Sequence, residues 1–187
     1  MIRILRAFVL SAVCILGMSG CQHFIPKAQG LASAAWIAQD YGRQDQVEVQ
    51  WKEHSFSFLL YQQQEGKEIE FVALALTGQQ LFKVNFDGQK VRIEQRVDQM
   101  KLLPFDFLVR DILFATYPNF AQLQQLNVEV FSSNESANIK PTQTISIQQQ
   151  KVLTIRYLQD HIELDNVQVP YQMIFSEVPN TLENNEQ

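Results

Sequence analysis

From Gln46 to Val97 apolar and polar residues alternate with a period of two, the spacing of strands with one covered face. Gln46–Lys52 sets Val47, Val49 and Trp51 against Gln46, Glu48 and Gln50. Ser55–Gln62 puts Phe56, Phe58 and Leu60 on one face, with Leu59 and Tyr61 opposite. Beyond the polar turn Gln64-Glu65-Gly66-Lys67, Glu68–Thr77 is apolar on both faces: Ile69, Phe71, Ala73 and Ala75 on one, Val72, Leu74 and Leu76 on the other. A strand apolar on both faces is covered on both, which places it in the middle of a sheet. Gly78-Gln79 turns the chain into Gln80–Phe86, and Asp87-Gly88 is a strong two-residue hairpin signal before Gln89–Val97. Five strands in a meander are predicted.

The period then changes. Beyond the first 21 residues, Leu102–Tyr117 is the only long helical pattern, with Pro104 suited to a first helical turn and Pro118 ending it. Asp106 and Arg110 fall close together on one face, an expected ion pair, with Asp111 not far from them. Phe105, Phe107, Leu108, Val109, Ile112, Leu113 and Phe114 occupy nearly every other direction, so the helix is expected to be covered on most sides. Two readings of its aromatics stand: an ordinary core helix, or a helix whose rings line a pocket. Asn119–Leu126 suggests a short second helix. Strands are expected again at Asn127–Ser132, Thr142–Gln149, Val152–Leu158, Ile162–Val167 and Tyr171–Ser176. Ahead of the sheet, Leu31, Ala34, Ala35 and Ala38 predict a short helix over Leu31–Asp40, and Tyr41-Gly42-Arg43-Gln44 a turn. Strands do not alternate with helices, which argues against a parallel doubly wound fold. The fold class is mainly β (α+β): an antiparallel, strongly curved, incomplete β-barrel wrapped around a central helical segment.

The first 21 residues read as an address. Arg3 and Arg6 precede a short apolar run, Ala7–Met18, too short to span a bilayer and suited to a signal peptide. Met18-Ser19-Gly20-Cys21 resembles the lipobox of bacterial lipoproteins, in which the cysteine is acylated and becomes the new N-terminus; the other reading is a plain secretory signal with a coincidental cysteine. Cys14 and Cys21 are the only cysteines, and Cys14 would leave with the signal peptide, so no disulfide is expected. The expected organisation is a signal peptide at 1–20, a lipidated tether and short helix at 21–40, the sheet domain at 41–177 and an acidic tail at 178–187. By resemblance to enterobacterial sorting, Gln22 after the cysteine points to the outer membrane, lipid-anchored and facing the periplasm. Without Arg3 and Arg6, 13 basic residues face 20 acidic ones, a net charge of −7. Nothing there tracks a phosphate backbone, so no nucleic-acid partner is expected.

Catalytic constellations are hard to find. His23, His54 and His161 are scattered without metal-ligand spacing. Asp160-His161 lacks a serine elbow, and Asp106 with Asp111 are poorly spaced for paired carboxylates. The expectation is a protein that is not an enzyme, with no metal and no cofactor beyond the acyl modification of Cys21. An excess of aromatics on a curved sheet suits a pocket for apolar ligands, with Phe58, Phe71, Leu74, Phe107, Leu108 and Phe114 as candidate lining. Ordinary cores are built from the same residues.

Five antiparallel strands, an embedded helical segment and more strands behind a lipobox resemble the lipoprotein carriers and receptors of the LolA/LolB type, which hold acyl chains in an incomplete barrel lidded by helices. More narrowly, Leu76-Thr77-Gly78-Gln79-Gln80-Leu81-Phe82-Lys83-Val84, Asp87-Gly88 and Arg110-Asp111-Ile112-Leu113-Phe114-Ala115-Thr116-Tyr117-Pro118 resemble the DUF3261 lipoproteins, with Tyr117-Pro118 where Trp-Pro is expected. That family is associated with aryl polyene gene clusters and has no assigned catalytic residues. The resemblance implies an outer-membrane lipoprotein binding an acyl or polyene lipid in a half-barrel, anchored to membrane lipid through Cys21, with a periplasmic carrier protein as partner in transfer. The alternative is a structural or assembly lipoprotein with a filled core, acting through protein contacts.

Overall fold

The computed structural model describes residues 28–124, 128–133 and 141–179; Cys21, His23, most of the 133–138 loop and the end of the tail lie outside them. Among the described residues ten strands and one α-helix follow in order: β1 (Tyr41–Trp51), β2 (His54–Glu65), β3 (Glu68–Ala75), β4 (Gln80–Phe86), β5 (Val91–Arg96), α1 (Phe105–Thr116), β6 (Val128–Ser133), β7 (Thr142–Ile147), β8 (Gln150–Tyr157), β9 (Ile162–Asn166) and β10 (Tyr171–Glu177). All strands pair antiparallel in one sheet of order β5-β4-β3-β2-β1-β10-β9-β8-β7-β6. Two five-strand meanders therefore meet at a seam between β1 and β10, where Val47 faces Phe175 and Val49 faces Met173. The sheet is not closed into a barrel; β5 and β6 are its edges.

Antiparallel pairing sorts the connections to two ends. At one end, here the Lys52 end, lie the β1–β2 turn, the β3–β4 turn, the segment from β5 to α1, the β7–β8 turn and the β9–β10 turn. At the other, the Gly66 end, lie the β2–β3, β4–β5 and β8–β9 turns. The core covers one face of the sheet: Val47, Phe58, Leu60, Ile69, Phe71, Val84, Phe86, Ile155 and Phe175 are all buried against α1 and its flanks.

Helix α1 starts where Pro104 accepts hydrogen bonds from the N–H groups of Phe107 and Leu108 (2.9 and 3.1 Å). Pro104 thus stands just before the first turn and not within it. Tyr117 is extended, as the residue before a proline must be to avoid the ring, and the helix ends there. Phe105 and every residue from Phe107 to Ala115 are buried, Arg110 and Asp111 included. The short second helix is a single 3-10 turn at Phe120–Leu123.

Two expectations fail near the start of the sheet. No helix forms over Leu31–Asp40. That segment crosses the molecule as an irregular strap whose polar groups bond outward and not along a helix: the Ser33 N–H donates to Gly88 O (2.9 Å), the Ser33 hydroxyl to Leu123 O and the Trp36 indole N–H to Lys67 O (2.8 Å). Leu31, Ser33 and Trp36 are buried, a spacing no single helical face provides. Tyr41–Gln44 is strand and not turn, so β1 begins five residues early. The alternation was hidden there because the inward side chains are polar: Asp45 of β1 and Gln62 and Gln64 of β2 are buried, with Arg43 opposite Gln62 and Tyr41 opposite Gln64.

Candidate functional site

Between the start of α1 and the Lys52 end of β1 and β2 lies a pocket walled by apolar side chains and one tyrosine ring. Val49 and Trp51 come from β1, Phe56 and Phe58 from β2, Phe82 from β4, Leu103, Pro104 and Leu108 from the helix approach, and Val169 and Tyr171 from the β9–β10 turn. Its free volume is about 30 Å³, room for one or two water-sized groups. Phe82 is the hinge of the aromatic packing around it, edge-on to Phe58 (5.9 Å) and to Phe105 (5.2 Å).

Of the six residues proposed from sequence as lining, the structure brings together two in this pocket, Phe58 and Leu108. Phe71 is fully buried in the middle of β3, and Phe114 packs edge-on to Phe120 at 4.9 Å. Phe107 lies under the guanidinium of Arg110, 5.0 Å from ring centre to carbon. Leu74 is half-buried and pairs with Leu59, on the other face of β3 from Phe71. Of the walls missed by the sequence reading, Leu103, Val169 and Tyr171 sit at turns or a strand start, where periodicity says least. Val49, Trp51, Phe56 and Phe82 follow the strand alternation, which does not tell which part of a covered face borders free space. Cys21 lies outside the described residues.

Behind the pocket is a buried polar network. Arg110 and Asp111 are both wholly buried, and the Arg110 Nε–H donates to Asp111 Oδ1 at 2.7 Å. The buried ion pair of the helix is therefore Arg110 with its sequence neighbour, where helical spacing had suggested Asp106. The other carboxylate oxygen accepts from the Tyr171 hydroxyl and the Asn166 amide. Asn166 Oδ1 in turn accepts the backbone N–H groups of Gln168 and Val169, both at 2.8 Å, and so shapes the β9–β10 turn. Arg110 Nη1–H reaches Gln29 O (3.2 Å) and Gln168 Oε1 (3.5 Å), while Nη2 has no hydrogen-bond partner among the described residues. Burial pushes the Asp111 carboxyl up against the opposing pull of Arg110. Burial, with the charge of Asp111 beside it, pushes the Tyr171 phenol well above its ordinary value. The network fixes Val169 and Tyr171, two walls of the pocket, to the helix that supplies a third.

At the Gly66 end the interior is polar. A groove of about 530 Å³ is bordered by Tyr41, Arg43, Tyr61, Gln62 and Glu177. Arg43 is already engaged side-on by the buried Asp45 (2.7–3.1 Å) and by Glu177 (3.3 Å). Gln62 donates to Asp45 (3.3 Å) and accepts from the Thr116 hydroxyl (3.0 Å), and burial pushes the Tyr41 phenol up to about 12. His54 is exposed at the start of β2, and His161 sits on a turn beside Asp160 (2.7 Å) and Glu163 (3.4 Å). Among the described residues no group of three metal-ligating side chains converges, and no helix is long and apolar enough to cross a membrane.

An open ten-stranded antiparallel sheet packed on one buried helix, with an apolar pocket at one end and a polar interior at the other, defines the class of protein. Residues 42–179 match the model of a family described as a protein of unknown function, DUF3261, and the chain belongs to that family. No curated protein matches it.

Proposed function

We propose that this chain is a lipid-anchored outer-membrane protein, facing the periplasm, that binds the apolar chain of an acyl or polyene lipid and takes part in its transfer from a carrier protein without catalysing a reaction. The observation that carries the reading is the pocket beside Leu103 and Pro104, whose walls offer a chain nothing to bond except apolar surface. We read the sheet as an incomplete, LolA/LolB-like barrel curved around α1. Phe105 packs on Phe82 of β4, and the Tyr157 hydroxyl of β8 donates to Phe114 O (3.5 Å). Those strands stand six places apart in the sheet, about 29 Å if it were flat. The helix between Phe105 and Phe114 rises only about 14 Å, so curvature accounts for both contacts most simply.

With about 30 Å³ free, an acyl chain enters only if a wall moves. The Leu102–Pro104 segment is the candidate: it belongs to no helix or strand, and its backbone is tied by the Leu103 N–H to Met100 O (3.1 Å). Titration of the unlipidated protein with a fluorescent fatty acid tests this. Saturable binding, weakened by a bulkier Leu108→Trp, is the expected result, and no binding removes the reading. The small free volume favours the second reading, a structural or assembly lipoprotein with a filled core, and absence of probe binding would leave that one standing. For the anchor, labelled palmitate should enter the wild-type protein and not Cys21→Ala; continued acylation of the variant would exclude Cys21 as the site.

A further inference from the structure

Three of the connections at the Lys52 end carry an exposed apolar side chain, while the β1–β2 turn (Lys52-Glu53) and the β7–β8 turn (Gln148-Gln149) at that end are polar. Leu76 in the β3–β4 turn is 63% exposed, Leu102 before α1 is 87% exposed and Val167 in the β9–β10 turn is 55% exposed. Distant in sequence, these three are brought to one end by the antiparallel register, and the apolar pocket lies at that same end. The described chain also begins there. Gln29 O is held by Arg110 beside Gln168 of the β9–β10 turn, and Gly30 abuts the side chains of Ile147 and Val128, at the Lys52 ends of β7 and β6. Six residues separate Cys21 from Ala28, seven steps along the chain with a reach of at most about 25 Å.

We propose that the Lys52 end docks on a phospholipid bilayer, with Leu76, Leu102 and Val167 dipping into the interface and the pocket presented to the membrane. The proposal rests on the reading of Cys21 as the anchor. A tether this short, entering at this end, keeps the three tips within reach of the lipid surface that holds it. Exposed apolar side chains on separate turns gain by entering the headgroup region, and such binding grows with the apolar area inserted. Lys101 and Asp98 stand on the connection that carries Leu102, and Lys52 and Glu53 form the β1–β2 turn at the same end. Turns at the Gly66 end are polar (Gly66-Lys67, Asp87-Gly88, Asp160-His161), although Ile37 and Val178 are exposed near that end. Docked this way, a ligand chain passes between bilayer and pocket without crossing water.

The test uses the full-length, cell-processed protein reconstituted in vesicles of phosphatidylethanolamine and phosphatidylglycerol containing brominated lipid. Leu102→Cys, Val167→Cys and, at the far end, Lys90→Cys each receive a polarity-sensitive fluorophore. All three positions are exposed, so folding is retained and is checked by the urea midpoint. Quenching by the brominated lipid at 102 and 167 is expected to exceed that at 90 by about threefold or more, as for side chains placed in the interface. Equal quenching at 90 and 102, or none at 102, overturns the docking, including the case in which these tips instead meet a protein. The parent protein separates the two failures. If its Cys21 thiol takes up the label, the anchor reading falls and the docked orientation falls with it; if it does not, the quenching pattern alone decides.

Discussion

Arg110 and Asp111 show how a residue's role can be half legible. Helical spacing put a basic and two acidic residues in one neighbourhood, but the chosen partner depended on burial and on Asn166 and Tyr171, more than 50 residues away in sequence. Removing one member of a wholly buried pair strands the other charge, so Asp111→Ala should lower stability by about 3–5 kcal/mol, whereas Arg110→Met with Asp111→Leu should be far closer to neutral; urea unfolding of both variants checks this. Gly88 was read as a hairpin residue, and its positive φ (90°) agrees. The sequence did not show that a Cβ there would sit 2.4 Å from the Trp36 ring. Gly88→Ala should therefore cost more than the roughly 1–3 kcal/mol of a strained backbone alone, with altered Trp36 fluorescence. Tyr41 gives a pH dependence. It ionises near 10 when unfolded and near 12 when folded. Its contribution is full below pH 10 and is lost as pH rises toward 12, at up to about 1.4 kcal/mol per pH unit. Tyr41→Phe should flatten that part of the stability profile, and an unchanged profile would assign it to other groups.

At the scale of elements, strands with apolar inward faces were readable because a period of two and the turn residues agreed. The start of β1 was not, since Arg43 and Asp45 satisfy each other in a place that the pattern reserves for apolar side chains. The strap over Leu31–Asp40 failed for the opposite reason. Its alanines favour a helix locally, and tertiary hydrogen bonds to Gly88, Leu123 and Lys67 override them. Helix α1 was legible in extent and burial; which of its residues meet the pocket was not, because that depends on how the helix is rotated against the sheet. This rotation separates two truncations. Phe114 is packed against Phe120 in the core, so Phe114→Ala should lose about 3–5 kcal/mol and leave fatty-acid binding intact where the protein still folds. Leu108 already borders free space. Leu108→Ala should fall at or below the lower end of the roughly 2–5 kcal/mol range for leucine while changing probe affinity. Equal losses in stability and unchanged binding would count against a pocket on this side of α1.

For the whole molecule, each meander can be read along the chain, but the seam cannot. Nothing in the pattern of β1 or β10 names the other as its neighbour, and Trp51 pairs with Tyr171 across nearly the whole domain. Closing so long a loop forfeits chain entropy before any seam contact repays it, whereas hairpins such as β2–β3 close over a two-residue turn. The hairpins should form early and the seam late. Folding should then take milliseconds to seconds, as for other sheets dominated by distant pairings. Substitutions on the two kinds of contact should divide differently between the rates. Met173→Ala, at the seam opposite Val49, should leave the folding rate nearly unchanged and speed unfolding by almost the whole of its destabilisation. Ile69→Val, paired with Gln64 beside the β2–β3 turn, should slow folding by a larger share of its own, and stopped-flow chevrons of the two variants measure both shares. If Met173→Ala slows folding in full proportion to the stability it removes, the seam forms in the transition state and the sheet assembles from its middle outward.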